Sequence, residues 1–117
     1  MELILALMVC NYTEVQWHIH GNWPQSEYCH TDPFDVNRVQ PILYALNKYW
    51  YSCFEDNVAF WQHEWGAHGT CSIQYPNQLA YFNATLQYYY SYQPDFKPCE
   101  DSWNSSRPLS CEINITT

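Results

Sequence analysis

Six cysteines occur in a chain of 117 residues, and they constrain its fold more than any other feature. A short chain with an even number of cysteines is typical of a disulfide framework made in an oxidising compartment. The alternative, a zinc site in a reduced intracellular protein, is weaker because the chain has no C-x-x-C pair. Four N-x-Ser/Thr sequons, at Asn11, Asn83, Asn104 and Asn114, are possible glycosylation sites and favour the same environment. We therefore expect a secreted or lumenal glycoprotein, with an endolysosomal or vacuolar location also open.

The charge balance limits the ligands that the chain can hold. Twelve Asp and Glu residues oppose four Lys and Arg residues, which gives a net charge of −8. This is the wrong sign for binding nucleic acid by phosphate neutralisation alone. An anionic substrate would need local positive charge, which protonated histidines can supply below about pH 6.5.

The length predicts one domain over residues 1–117, and we expect a monomer. No segment is long enough to span a membrane. The opening MELILALMV is apolar but has no basic residue and no convincing cleavage site, so a buried first strand is favoured over a signal peptide. A secretion signal would then lie outside this sequence, or the chain is a processed or partial product.

Hydrophobic periodicity divides the chain into short strands and amphipathic helices. The predicted elements are strands at 3–9 and 15–20 and helices at about 36–50, 58–68 and 79–90. The second strand should end at Gly21 and Pro24 and carry His18 and His20 on one face. Gly69 stands where the second helix should end. The remainder, rich in proline, is predicted to be a loop that needs a disulfide to hold it.

The segment FWQHEWGAHGTC, residues 60–71, places His63, Glu64 and His68 within six residues and ends on a cysteine. Glu64 and His68 are four apart and share one helix face, which suits proton transfer. His63 and His68 are five apart and about 140° around a helix from each other, so they make a poor zinc motif. We expect no metal. A purely structural role for these histidines is the other alternative.

The segments Trp17-His-Ile-His-Gly-Asn-Trp-Pro24 and Phe60-Trp-Gln-His-Glu-Trp-Gly-Ala-His-Gly-Thr-Cys71 resemble the two signature segments of the ribonuclease T2 family, the secreted acid ribonucleases. The second match is long and specific, and the two lie in the family's order. The resemblance implies an α+β fold with a small antiparallel sheet flanked by helices and stabilised by disulfides. It also implies a domain shorter than typical members.

The resemblance assigns roles to individual residues. His20 matches the histidine that protonates the leaving 5′ oxygen, and His68 matches the one that removes the proton from the ribose 2′-OH. Glu64 matches the assisting glutamate, His63 a phosphate-binding histidine, and Trp23 an aromatic that stacks a base. RNA carries its own nucleophile, so no cofactor and no covalent residue is implied.

The chain departs from the family pattern at several positions. Ala67 stands where the family usually has a lysine, Asn22 replaces an apolar residue and His18 replaces a threonine. By analogy, the disulfides would be Cys29–Cys71 and Cys99–Cys111, which leaves Cys10–Cys53 with little support from the family.

Two function classes follow from this resemblance. The first is a secreted, metal-independent endoribonuclease that cleaves single-stranded RNA through a 2′,3′-cyclic phosphate, with activity weakened by Ala67. The second is a secreted glycoprotein of ribonuclease fold that acts by binding, with weak or lost catalysis. Ala67 and the negative charge favour the second class, whereas the joint presence of His20, Glu64 and His68 favours the first.

Overall fold

The fold is a three-stranded antiparallel sheet with helices packed against it. The structure is a computed structural model that describes residues 2–10, 16–101 and 110–116. The strands are β1 (Glu2–Met8), β2 (His18–Trp23) and β3 (Ser110–Thr116), in the order β2-β1-β3. The helices are α1 (Leu43–Tyr49), α2 (Asn57–Ala67), α3 (Gln78–Ser91) and the short α4 (Lys97–Asp101). The predicted α+β class, with a small sheet flanked by helices, is confirmed.

The inner face of the sheet is made by alternate residues of β1. Leu3, Leu5 and Leu7 are each at most 1% exposed and belong to the core cluster. Their partners Ile115 on β3 and Ile19 on β2 point the same way, because paired residues of antiparallel strands share a face. This apolar face packs on the core side of α3. The opposite face carries Ile4, Ala6 and Met8 of β1.

The C-terminal segment contains a strand that the sequence prediction missed. The segment was predicted to be loop, but β3 pairs with β1 along its whole length. Cys111, Ile113 and Ile115 do alternate in the sequence, although nearby prolines concealed this short signal. The strand needs β1 beside it to bury those residues.

Side-chain caps set the start of the two longest helices. Asp56 accepts a hydrogen bond from the Ala59 amide at 3.0 Å, and Asn77 accepts one from the Ala80 amide at 2.8 Å. The predicted helices 58–68 and 79–90 are confirmed as α2 and α3. The predicted helix 36–50 is only partly right, because residues 36–42 form a 3₁₀ helix that contains Pro41. Proline has no amide hydrogen for an α-helical bond.

A β-bulge in β2 decides which side chains share its outer face. The register with β1 shifts between Ala6, which pairs with Gly21, and Leu7, which pairs with Ile19, so His20 is the extra residue. Without the bulge, His20 and Trp23 would point to opposite faces, since they are three residues apart. The strand continues to Trp23, and the prediction that Gly21 ends it is wrong.

Three disulfides link the described segments. Cys29 is paired with Cys71, Cys99 with Cys111, and Cys10 with Cys53. Cys29–Cys71 fastens the segment after β2 to the 3₁₀ turn Gly69–Cys71 that follows α2. The first two pairs are those that the family resemblance implies, and the third joins the two cysteines that remain.

The sequons fall in different parts of the structure. Asn83 on α3 and Asn114 on β3 are exposed, as a glycan acceptor requires. Asn11 and Asn104 lie outside the described residues. Among the helices of the described ranges, none combines the length and apolarity needed to cross a bilayer.

Candidate active site

The outer face of β2 and the C-terminal half of α2 bring two histidines to one carboxyl group. His20 Nε2 lies 3.7 Å from Glu64 Oε2, and His68 Nε2 lies 3.9 Å from Glu64 Oε1. The side chains of His20, His68 and Glu64 are 37%, 12% and 2% exposed. The two imidazoles are therefore partly open to a ligand, whereas the carboxyl group lies beneath them. Glu64 and His68 share a helix face, as their four-residue spacing predicts.

Trp23 contacts every member of this group. Its indole N–H donates a hydrogen bond of 2.8 Å to Glu64 Oε1. Its ring lies edge-on to the His20 ring at 5.0 Å between centroids and is stacked on the His68 ring at 5.2 Å. Trp23 remains partly exposed.

Two glycines leave room for close packing in and beside this group. A Cβ at Gly21 would collide with both Glu64 Oε1 and Trp23 Nε1, so the strand backbone lies directly against their hydrogen bond. A Cβ at Gly69 would collide with the Trp65 ring. α2 ends at Ala67 with His68 as its C-cap, so Gly69 stands directly after the end of the helix, as the sequence predicts. Its φ is not positive, so a left-handed cap is not the reason for glycine here. Gly69 is required for packing.

Burial raises the pKa of Glu64 to about 7, and the hydrogen bond from Trp23 opposes this shift. The negative charges of Glu55 and Glu27 act in the same direction as burial. Below neutral pH, Glu64 is therefore largely a neutral acid.

Burial has the opposite effect on the two histidines, because it disfavours their charged form. It lowers the pKa of His68 to about 4, although the charge of Glu27 opposes the shift. Burial and the charge of His63 lower the pKa of His20, against the attraction of Glu112. Nδ1 of His68 is buried and has no hydrogen-bond partner among the described residues. His68 is thus a neutral imidazole over most of the pH range.

The charges around the site are mainly negative. Glu27, Glu55 and Glu112 each act on the pKa of at least one site group. His63 is exposed on α2 and is the positive group that acts on His20 and His68. Arg38, by contrast, pairs with Asp32 at 3.7 Å.

Ala67, where the family usually has lysine, is buried and its backbone is bonded to the segment that follows β2. The residue is 2% exposed, and its carbonyl accepts a hydrogen bond of 2.8 Å from the Tyr28 amide. Tyr28 reaches this position with a φ of 55°, an uncommon conformation for a residue other than glycine. The amide of the next residue, Cys29, donates to Thr70 Oγ1.

A cleft of about 300 Å³ opens beside His20. It is lined by Met8, His20, Ser52, Cys53, Phe54, Glu55 and Phe60. Phe54 is 93% exposed at this cleft, and the Phe60 ring lies 5.7 Å from that of His20. Phe54 was not predicted from the sequence, because no motif surrounds it. Only its exposure in the structure marks it as a candidate.

His18, two residues before His20, does not belong to this group. It is 1% exposed and stacked on Tyr51, with Nε2 3.5 Å from Cys10 Sγ and 3.8 Å from Cys53 Sγ. These three residues form the one cluster of possible metal ligands in the described ranges, but its two sulfur atoms are joined in a disulfide. Protonated histidines were expected to attract a phosphate, but buried His18 is not one that can do so at the site.

A pair of imidazoles over a shared carboxyl group, on a disulfide-linked α+β frame, defines an acid–base site. A sequence profile of the Ribonuclease T2 family matches residues 6–97, and the chain belongs to this family. Ribonuclease Oy of Magallana gigas is 42% identical over 91 residues, which cover 67% of this chain and 43% of that protein. Human Ribonuclease T2 is 37% identical over 81 residues, which cover 62% of this chain and 32% of that protein.

The solved structures show the same fold. Ribonuclease MC1 from bitter gourd seeds matches with a TM-score of 0.71 and 27% identity, over 88% of this chain and 65% of that one. The sequence spans less than half the length of the two curated relatives named above. The resemblance read from the two signature segments is confirmed.

Proposed function

We propose that this protein is a secreted, metal-independent endoribonuclease that cleaves single-stranded RNA through a 2′,3′-cyclic phosphate. The observation that carries the proposal is that His20 lies near one oxygen of the buried Glu64 carboxyl group and His68 near the other. Membership of the Ribonuclease T2 family supports it. The disulfides and the exposed sequons Asn83 and Asn114 support a secreted or lumenal location.

In this proposal, neutral His68 takes the proton from the ribose 2′-OH. The 2′ oxygen attacks the adjacent phosphorus, and a bond forms between them. The bond from phosphorus to the 5′ oxygen breaks, and protonated His20 gives that oxygen its proton. The products are a 2′,3′-cyclic phosphate and a free 5′-OH. Water can then open the ring to a 3′-phosphate with the two histidines in exchanged roles.

The substrate supplies the nucleophile, so the protein has to supply only a base, an acid and charge stabilisation. His63 would contact the phosphate with positive charge when it is protonated. Glu64, largely neutral below pH 7, would hold the two histidines without repelling the phosphate strongly.

The bases on the two sides of the cleaved bond would bind in different parts of the site. The 5′ oxygen that His20 protonates belongs to the nucleotide on the 3′ side, so its base would enter the cleft beside His20. Phe54 and Phe60 offer aromatic surface there. The open part of Trp23 would stack the other base. Stacking needs unpaired bases, which favours single-stranded RNA.

The second candidate function is that of a ribonuclease-fold glycoprotein that binds its ligand without efficient catalysis. Ala67 in place of lysine and the acidic groups Glu27, Glu55 and Glu112 favour it. Without the lysine the site attracts the phosphate less, and the acidic groups repel it.

The test is cleavage of a single-stranded RNA by the purified glycoprotein in excess EDTA, with His20→Ala as the comparison. We expect fragments ending in a 2′,3′-cyclic or 3′-phosphate by mass spectrometry, with cleavage reduced roughly 10²-fold or more in the variant. A folded wild-type protein that binds the RNA but leaves it intact would favour the binding glycoprotein. Cleavage that EDTA abolishes would contradict the proposed mechanism.

A further inference from the structure

Glu64 depends on one short hydrogen bond. The carboxyl oxygens lie 3.7 and 3.9 Å from the nitrogens of His20 and His68, beyond ordinary hydrogen-bond distance. The Trp23 indole N–H, at 2.8 Å from Oε1, is within it. A carboxyl group that is nearly all buried cannot replace a lost protein donor by water.

The fold supports this hydrogen bond in two ways. The bulge at His20 directs Trp23 toward the face that carries His20, and the missing Cβ of Gly21 leaves room for Nε1 and Oε1 to meet. The Trp23 ring also contacts both imidazoles. A side chain that served only as a platform for a base would need neither arrangement.

We propose that Trp23 is a positioning residue whose indole N–H holds the Glu64 carboxyl group and whose ring sets the places of His20 and His68 around it. This inference rests on the proposed function, because it names a residue that acts through Glu64 in the same reaction. It adds a role distinct from base stacking, which uses only the ring surface.

The ionisation of Glu64 links this contact to pH. The groups whose charges face Glu64 are His20 on β2, Glu27 after β2, Glu55 before α2, His63 and His68 on α2, and Tyr81 on α3. Trp23 favours the ionised carboxylate, since its N–H donates to it. As the pH approaches 7, part of Glu64 is ionised. Loss of the donor makes the carboxyl group more often neutral in that range, and a neutral neighbour supports protonated His20 less well.

The test compares Trp23→Phe with Trp65→Phe. Both remove an indole N–H, but that of Trp65 donates to the carbonyl of Asp32 at 2.7 Å, away from Glu64. We expect Trp23→Phe to lower kcat on the order of tenfold, with KM nearly unchanged and the alkaline limb of the pH–rate profile moved to lower pH. Trp65→Phe should leave the limb in place.

A background without the Glu64 carboxyl group separates positioning from stacking. That background must be Glu64→Ala rather than Gln, since a Gln oxygen could still accept from the indole N–H. If Trp23 acts through Glu64, adding Trp23→Phe to Glu64→Ala should cause little further loss. Losses that multiply, or a rise in KM with unchanged kcat and pH limb, would overturn the proposal in favour of a base platform. Gly21→Ala breaks the same hydrogen bond from the backbone side and should reproduce the limb shift if Trp23→Phe does not fold.

Histidine titrations by NMR test the proposal without turnover. Trp23→Phe should change the titration of His20 and His68, and Trp65→Phe should change neither. An unchanged titration in folded Trp23→Phe refutes the positioning role whether or not the protein cleaves RNA. A wild-type protein that shows the titration difference but no cleavage refutes the proposed function alone.

Discussion

His18 and His20 are two residues apart on one strand and have opposite surroundings. Burial lowers the pKa of both, that of His18 to about 4. His18 is sealed between the Tyr51 ring and the Cys10–Cys53 disulfide. His20 keeps 37% of its side chain exposed and lies near Glu64. A shifted pKa alone would mark both histidines as functional candidates. Access and a carboxyl neighbour distinguish the one that we expect to react.

The comparison predicts different losses for the two histidines. His20→Ala, like His68→Ala, should reduce RNA cleavage by roughly 10²-fold or more, the scale for losing a positioned acid or base. His18→Ala should cost about 2 kcal/mol of unfolding free energy but retain cleavage within severalfold at a temperature where it is folded. Single-turnover assays and denaturant unfolding measure the two effects. If folded His18→Ala lost as much cleavage as His20→Ala, the distinction between a reacting and a structural histidine would be wrong.

The carboxyl neighbour of His20 should reduce stability as pH rises. The folded pKa of Glu64 is raised from 4.5 to about 7, so the folded state binds more protons in that range and stability falls as pH rises through it. Glu64→Gln removes this loss and should be more stable than wild type above pH 7, by up to about 3 kcal/mol. The two proteins should converge below pH 4.5. Unfolding curves from pH 4 to 8 provide the check, and a constant difference across that range would contradict the shift.

The two longer disulfides provide a matched pair for activity. Cys29–Cys71 and Cys10–Cys53 close loops of nearly equal separation, 42 and 43 residues, so the chain-entropy model gives each about 4 kcal/mol. Cys71 follows His68 by three residues, and its amide donates to the His68 carbonyl. Replacing Cys29 and Cys71 by Ala should therefore lower kcat roughly tenfold more than replacing Cys10 and Cys53. Equal losses in folded variants would show that His18 and its disulfide support the site as strongly.

The pH–rate profile should follow His20 and His68 but not His18. In the proposed mechanism, cleavage needs neutral His68, hence a pH above about 4, and protonated His20, whose pKa is lowered from its usual 6.5. We expect a maximum between these two limits and a fall of about tenfold per pH unit outside the window. His18→Ala should leave both limbs in place. A maximum above about pH 8 would contradict these assignments.

Glu27, Glu55 and Glu112 form an acidic rim around the site, and neutralising one of these residues should have the smallest effect on cleavage. Glu27→Gln and Glu55→Gln should each raise kcat/KM a few-fold at low ionic strength, because they remove repulsion of the phosphate, and the gain should fade toward 1 M salt. Asp95→Asn removes an equal charge from an exposed site elsewhere and should change little. A gain in Asp95→Asn as large as that in Glu27→Gln would point to net charge rather than to the rim.

The sequence predicts the chemistry of the site better than its geometry. The spacing of Glu64 and His68 predicts their shared face, since a helix relates residues four apart. The contact of Trp23 with Glu64 joins residues far apart in the chain and depends on the bulge, which no local pattern indicates. The role of Gly21 in that contact was missed for the same reason. β3 is likewise defined by its pairing with β1.

Ala67 shows a second limit. Its identity reveals a lost positive charge, but only the structure reveals that the residue is buried and that its carbonyl is bonded to Tyr28. A lysine at this position would have to extend from a buried backbone site past its neighbours. The functional cost of the substitution therefore cannot be read from the residue type alone.

The bulge in β2 makes the site sensitive to insertions and deletions. Deleting one residue between His18 and Trp23 would restore regular pairing and turn one of these side chains to the opposite face of the sheet. Inserting one residue would have the same consequence for those on its far side. Random indels in this strand should thus be far less tolerated than point substitutions at its exposed positions. The number of residues in β2 therefore fixes which side chains meet at the candidate site.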